Sequence, residues 1–251
     1  MAKSFIFPVL KKTLFAAFFL FLTSPAFSVD GMELLKKADE QNNFETMSYS
    51  ATMEIRLGKE SRTKKMKGTV SGNRAFMEFL NPEDRGVRYL KVEDNMWIYS
   101  PKERKSVKIS GHLLKEGIMG SDLSYEDAMS RDLLTGNYSV ELLGEERLVD
   151  RPAAILYLEA LAKGLPYEKR KLWIDTERYV ILREEMYAKS GRLLKTSIVR
   201  EVQRLQGRWT ITAVEMKNEL RKNSSTLFAL EDISYDTKLD ESLFSLQNLG
   251  R

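Results

Sequence analysis

His112 is the single histidine of the 251-residue chain, and Ser121 stands in the fragment nearest to a nucleophile motif, Gly120-Ser121-Asp122. A serine, a general base and an acid together could cleave an ester by acyl transfer. The strained Gly-x-Ser-x-Gly elbow that such chemistry uses on α/β folds is missing. One histidine with no cysteine falls short of the three or four ligands of a zinc site. Glu145-Glu146, Glu184-Glu185 and Asp240-Glu241 pair carboxylates, but adjacent residues on a strand point to opposite faces, so these pairs read as solvent-facing charge. No glycine-rich phosphate loop or dinucleotide fingerprint occurs. The sequence therefore offers no catalytic residue, no metal ligand set and no cofactor motif.

What it does offer is apolar surface on alternating positions, the chemistry of binding by burial. Tyr49, Ala51, Met53, Ile55 and Leu57 fall on one side of a period-2 segment that starts at Thr46. Trp97 and Tyr99 share one face of another segment, and Met96 and Ile98 share the opposite one. Phe76, Met77, Phe79, Trp173, Met186, Tyr187, Trp209, Met216 and Phe228 continue the series. Methionine and aromatic side chains suit an adaptable binding face, although any β core also uses them.

The elements that must position these side chains are mostly strands. Gly72-Asn73 separates Lys65 to Ser71 from Arg74 to Leu80, and Glu93-Asp94-Asn95 separates Gly86 to Val92 from Met96 to Ser100, so both read as hairpins. Strand-like segments recur from Tyr138 to Tyr235, broken by turn residues such as Lys189-Ser190-Gly191 and Gln206-Gly207. The pattern predicts about eleven antiparallel strands, enough to make a sheet curl. Asp30 to Asn43 reads as a helix capped by Asp30, with Glu33 as a capping-box partner and Met32, Leu34, Leu35 and Ala38 on one face. Ser121 to Leu134 reads as a helical insert able to cover the concave side of the sheet.

Export is written into the first 28 residues. Lys3, Lys11 and Lys12 precede a short apolar run, Thr13 to Leu22, and Ala26 and Ser28 supply the small residues that signal peptidase requires. Cleavage after Ser28 is expected, leaving one domain from residue 29 to 251. The run is too short to span a bilayer. The absence of cysteine excludes disulfides and a lipid-bearing cysteine. The net charge of +4 owes three lysines to the leader. What remains is nearly balanced, and the basic run Arg62 to Lys67 reads as a solvated strand end, so nucleic acid is not an expected partner.

A longer series of motifs carries a resemblance. Phe79-Leu80-Asn81-Pro82-Glu83-Asp84-Arg85-Gly86, Met96-Trp97-Ile98-Tyr99-Ser100-Pro101, Gly120-Ser121-Asp122-Leu123-Ser124-Tyr125-Glu126-Asp127, Lys171-Leu172-Trp173-Ile174-Asp175 and the ending Leu243-Phe244-Ser245-Leu246 occur in that order. The chain resembles the outer membrane lipoprotein-sorting proteins, relatives of the LolA and LolB carriers. The resemblance implies a half-open, strongly curved antiparallel β-barrel with a helical lid over an apolar concavity. It implies a periplasmic carrier of lipoprotein or lipid acyl chains, without catalysis or cofactor. It further implies transient membrane contact and an RND-type transporter as partner. With alternation it places Tyr49, Met53, Ile55, Met77, Phe79, Trp97, Tyr99, Trp173 and Met186 on the binding wall. Met119, Leu123 and Tyr125 fall on the lid. The alternatives are a lipid-hydrolysing enzyme and an RseB-like sensor of mislocalised lipoprotein.

Overall fold

The structure is a computed structural model, and it describes residues 30–41, 43–130 and 133–250. The expected signal peptide, residues 1–28, lies outside the described residues.

The described residues open with α1 (Gly31–Gln41). Asp30 caps it, its carboxylate accepting from the backbone N–H of Met32 at 2.9 Å. Glu33 forms an ion pair with Lys37 one turn on instead of closing a capping box. The buried face is Leu34, Leu35 and Ala38, while Met32 is exposed rather than inward as the sequence pattern had it.

Six strands follow: β1 (Thr46–Leu57), β2 (Glu60–Ser71), β3 (Arg74–Phe79), β4 (Arg88–Val92), β5 (Asn95–Ser100) and β6 (Lys105–Ile109). An insert of two 3-10 turns and two short helices, α2 (Tyr125–Met129) and α3 (Leu134–Asn137), comes next. Seven more strands complete the sheet: β7 (Tyr138–Leu148), β8 (Arg151–Ala160), β9 (Lys169–Asp175), β10 (Ile181–Tyr187), β11 (Leu193–Leu205), β12 (Arg208–Asn218) and β13 (Ser224–Tyr235). The chain ends in a 3-10 turn and α4 (Leu246–Leu249).

All thirteen strands join one antiparallel sheet in the order β6-β5-β4-β3-β2-β1-β13-β12-β11-β10-β9-β8-β7. The count exceeds the expected eleven by two, and Ser106 to Ile109, a short candidate in the sequence, forms the edge strand β6. The sheet is strongly curved and does not close: β6 and β7 are its two edges, and the insert runs from one to the other. Hairpin turns therefore alternate between two rims. Six of them, 101–104, 80–87, 58–59, 219–223, 188–192 and 161–168, follow one another along the first rim.

The concave face carries two apolar clusters. Leu34, Leu35 and Ala38 of α1 pack on Leu156, Leu158, Leu172 and Ile174 of β8 and β9. The insert, through Ile118, Met119, Leu123 and Tyr125, packs on Met53, Ile55, Phe79, Tyr89 and Met96. The convex face carries two smaller ones. The C-terminal segment lays Phe244 and Leu249 on Phe76, Leu90 and Trp97, and Trp173 packs with Ala153, Val180 and Leu182. Among the described residues no helix is long and apolar enough to cross a membrane.

Candidate functional site

Strand register decides which expected wall residues reach the hollow. Met53 pairs with Phe228 and Ile55 with Thr226, and the same face carries on through Met77, which pairs with Gly68 and Tyr89. Met53, Ile55 and Phe79 are fully buried beneath the insert, and Tyr49 and Met77 are half-buried against the same cluster. A Cβ on Gly68 would lie 2.3 Å from Cζ of Tyr49, so the absence of a side chain there lets the Tyr49 ring lie across β2. Burial pushes the Tyr49 phenol up to about 12. Met186 is also concave, on β10 next to the β9 strand that α1 covers.

Trp97, Tyr99 and Trp173 are not brought to this hollow. Trp97 pairs with Leu90 and Tyr99 with Arg88, on the convex face under the C-terminal segment. The Trp173 indole N–H donates to the Glu146 carboxylate at 2.5 Å, and the Arg183 guanidinium lies 4.6 Å from its ring centre. Alternation had correctly paired Trp97 with Tyr99 and set them against Met96 and Ile98. It carries no information on which of the two faces turns inward.

The lid is built differently from the expected single helix. Gly111–Lys115 and Ile118–Gly120 are 3-10 turns, and only Tyr125–Met129 is helical before residue 130. Ser124 breaks the run because it caps α2. Its hydroxyl accepts from the Asp127 backbone N–H, and the Asp127 carboxylate accepts from the Ser124 backbone N–H at 2.8 Å, a complete capping box. Met119 sits in the left-handed region at φ 52°, a conformation that costs a long side chain on the order of 1–2 kcal/mol. Tyr125 stacks on Tyr89 with ring centres 5.8 Å apart.

Two carboxylates of this insert fasten it to the sheet. Asp122 is buried and accepts from the hydroxyls of Ser224 at 2.6 Å and Thr226 at 2.8 Å, and from the Asn218 backbone N–H at 3.2 Å. Arg221 adds hydrogen bonds to the carbonyls of Gly120 and Ser121. Asp127 accepts from the Lys195 ammonium and from the Tyr167 hydroxyl. The motif Gly120 to Asp127 is thus a fastening, and only its Ser-x-x-Asp capping spacing was legible beforehand.

Between α1 and the insert lies a cavity of about 710 Å³, within the 300–1,000 Å³ usual for small-molecule sites. Phe44, Leu123, Leu134, Ile181, Met186 and Met216 give it apolar wall. Asp39, Asn43, Asn73, Glu126, Asp127, Ser130, Tyr167, Arg170 and Glu184 add polar wall. Arg170 is buried there, donating to the Tyr138 hydroxyl at 3.0 Å and to Glu184, with the rings of Tyr138 and Tyr167 about it. Burial opposes its charge, and Glu184 outweighs that and holds the guanidinium protonated.

The two residues that hydrolysis would need are not arranged for it. The Ser121 hydroxyl is buried in a local turn, donating to the Leu123 carbonyl at 3.1 Å and accepting from its N–H at 3.2 Å. His112 is exposed on the first 3-10 turn. Among the described residues no three His, Asp or Glu side chains gather as a metal site.

A strongly curved, open antiparallel sheet with a few short helices defines a LolA-like fold. A solved DUF1329 family protein from Desulfovibrio piger superposes with a TM-score of 0.80 at 26% identity, over 87% of this chain and 97% of that one. An outer membrane lipoprotein-sorting protein domain from Vibrio parahaemolyticus gives 0.78 at 22% identity, over 88% and 98%. A LolA superfamily protein from Nitrosomonas europaea gives 0.72 at 21% identity, over 88% and 99%. No curated protein matches the chain. The family model described as "-like: Uncharacterized protein" matches residues 71–251, and the chain belongs to that family.

Proposed function

We propose that this protein is a periplasmic, non-catalytic carrier that takes up the acyl chains of a lipoprotein or lipid between α1 and the insert and moves them toward the outer membrane. The observation that carries the reading is the 710 Å³ cavity on the concave face, roofed by an insert that two carboxylates hold down. A buried methylene is worth about 0.8 kcal/mol, so a chain of some sixteen carbons costs on the order of 10 kcal/mol to hold in water. A hollow that accepts such a chain removes most of that barrier.

Release needs the opposite provision, and the lid supplies it. In the closed state Met119, Leu123 and Tyr125 cover the wall of Tyr49, Met53, Ile55, Met77 and Phe79. Cargo that displaces the insert gains that wall and forfeits the lid contacts, which keeps net affinity moderate. Met186 and Met216 line the space already open. The resemblance supports an RND-type exporter as the membrane partner in this cycle.

Native mass spectrometry of the protein recovered from its own periplasm tests the reading. Co-purifying lipid or lipoprotein is expected. Reproducibly empty protein that also fails to bind a fluorescent fatty-acyl probe would overturn it.

A further inference from the structure

The two rims of the sheet differ in charge and in exposed leucines, the opposite rim exposing Val149 in its turn 149–150. The six turns of the first rim hold nine Lys and Arg against five Asp and Glu. The five turns of the opposite rim, 72–73, 93–94, 149–150, 176–180 and 206–207, hold one basic residue, Arg178, against four acids. Two of the first rim's acids, Glu83 and Asp84, are already paired with Lys64. Lys59, Lys102, Lys163, Lys189, Arg192 and Lys222 are exposed and make no ion pair among the described residues. The first rim also carries Leu57, Leu80, Leu161 and Leu220, which are 37%, 46%, 65% and 50% exposed. Each lies in or beside a turn that brings a basic residue within a few positions.

We infer that this rim is a docking edge for an anionic lipid surface. A protein partner of ordinary design would meet a contiguous apolar centre with charge at its periphery. Here the apolar side chains are single leucines on separate turns, interleaved with lysine and arginine along one edge. That is the pattern of an interfacial anchor, in which apolar tips enter the headgroup layer and the cations meet lipid phosphate. The opposite rim, with its acidic excess, is repelled by the same surface, so docking has one orientation.

The docking edge also touches the cargo site. The turn 161–168 presents Leu161 and Lys163 outward and places Pro166 and Tyr167 on the cavity wall. Arg221, in the turn that carries Leu220, holds the Gly120 and Ser121 carbonyls of the insert. The inference deepens the carrier reading, since it says where the carrier meets a membrane, but the docking can be measured without cargo.

The test is co-sedimentation of the purified protein with phosphatidylcholine vesicles with and without a phosphatidylglycerol fraction. Binding is expected only with phosphatidylglycerol, and it should weaken as salt shortens the reach of surface charge. Each basic residue at such a surface is worth about 1 kcal/mol, so Lys189→Gln with Arg192→Gln should lower the partition roughly thirtyfold. Leu161→Ser with Leu220→Ser should lower it about tenfold or more. Both double variants should keep the parent's acyl-probe affinity and melting temperature, because all four side chains lie in turns. Partition that is equal on both vesicle types, or unmoved by either double variant, overturns the inference. No partition at low salt also overturns it. Vesicle binding without acyl-probe binding by the parent would instead sink the carrier reading and leave the docking edge standing.

Discussion

Replacing Asp122 with alanine should open the insert without unfolding the sheet. The carboxylate accepts two hydroxyl hydrogen bonds, at 2.6 and 2.8 Å, and one from a backbone N–H at 3.2 Å. Hydrogen bonds to a charged group are worth about 1.5–3 kcal/mol each, and their loss is partly recovered when hydroxyls find new acceptors. A net cost of about 3 kcal/mol follows, a third to two thirds of the roughly 4.5–9 kcal/mol total for the three bonds. At 1.4 kcal/mol per tenfold, the open insert becomes about a hundredfold more populated. A domain with the usual stability of roughly 5–15 kcal/mol survives such a loss. The strands keep their ladder, so opening is local. Hydrogen exchange followed by mass spectrometry reads it directly. Peptides within 111–129 should exchange about a hundredfold faster, while peptides from β3 to β5 and β8 to β10 stay protected. The association rate of an acyl probe should rise in parallel. Asp122→Asn, which keeps one acceptor oxygen, should fall between the two. If the insert keeps its protection, or if the distant strands lose theirs equally, the carboxylate does not act as a lid fastening and the reasoning fails.

Met216→Trp should fill the cavity and lower acyl-probe affinity by tenfold or more with little change in melting temperature, since the added ring enters space that is already open; unchanged probe affinity would place the cargo elsewhere. Ser121→Ala and His112→Ala should both retain probe binding, and the parent should show no esterase or phospholipase turnover above background; activity that disappears in either variant would establish hydrolysis. Gly68→Ala should cost about 1–3 kcal/mol by forcing the Tyr49 ring off β2, checked by denaturant titration, with Tyr49→Leu in the same background restoring part of the loss. The last concerns acid. Burial of Asp175 favours its neutral form, but the Arg151 guanidinium at 2.8 Å and two backbone N–H groups at 2.9 Å outweigh burial and hold its carboxyl below the usual range. Its stabilisation is therefore full above the unfolded value near 4 and is lost as pH falls through the lower folded value. Asp175→Asn should be less stable at neutral pH and show a flatter decline below about pH 4 in melting experiments; an acid limb as steep as the parent's would assign the pH dependence to other carboxylates.

Local interactions made much of this fold legible. The alternation of Ala51, Met53 and Ile55, the hairpins at Gly72-Asn73 and Glu93-Asp94, and the Asp30 cap each depend on residues a few positions apart. The Ser124 capping box was present in the sequence as a Ser-x-x-Asp spacing. The binding wall was legible only as pairs of opposed faces. Period 2 separates Trp97 and Tyr99 from Met96 and Ile98, but both assignments satisfy it equally. The direction in which thirteen twisted strands curl selects the inner face, and that is a property of the whole sheet. The same holds for the lid fastening. Asp127 meets Lys195 across 68 residues and Asp122 meets Thr226 across 104. At such separations a carboxylate in a polar loop looks like any solvated charge, and only the curved arrangement of strands turns it into a buried anchor.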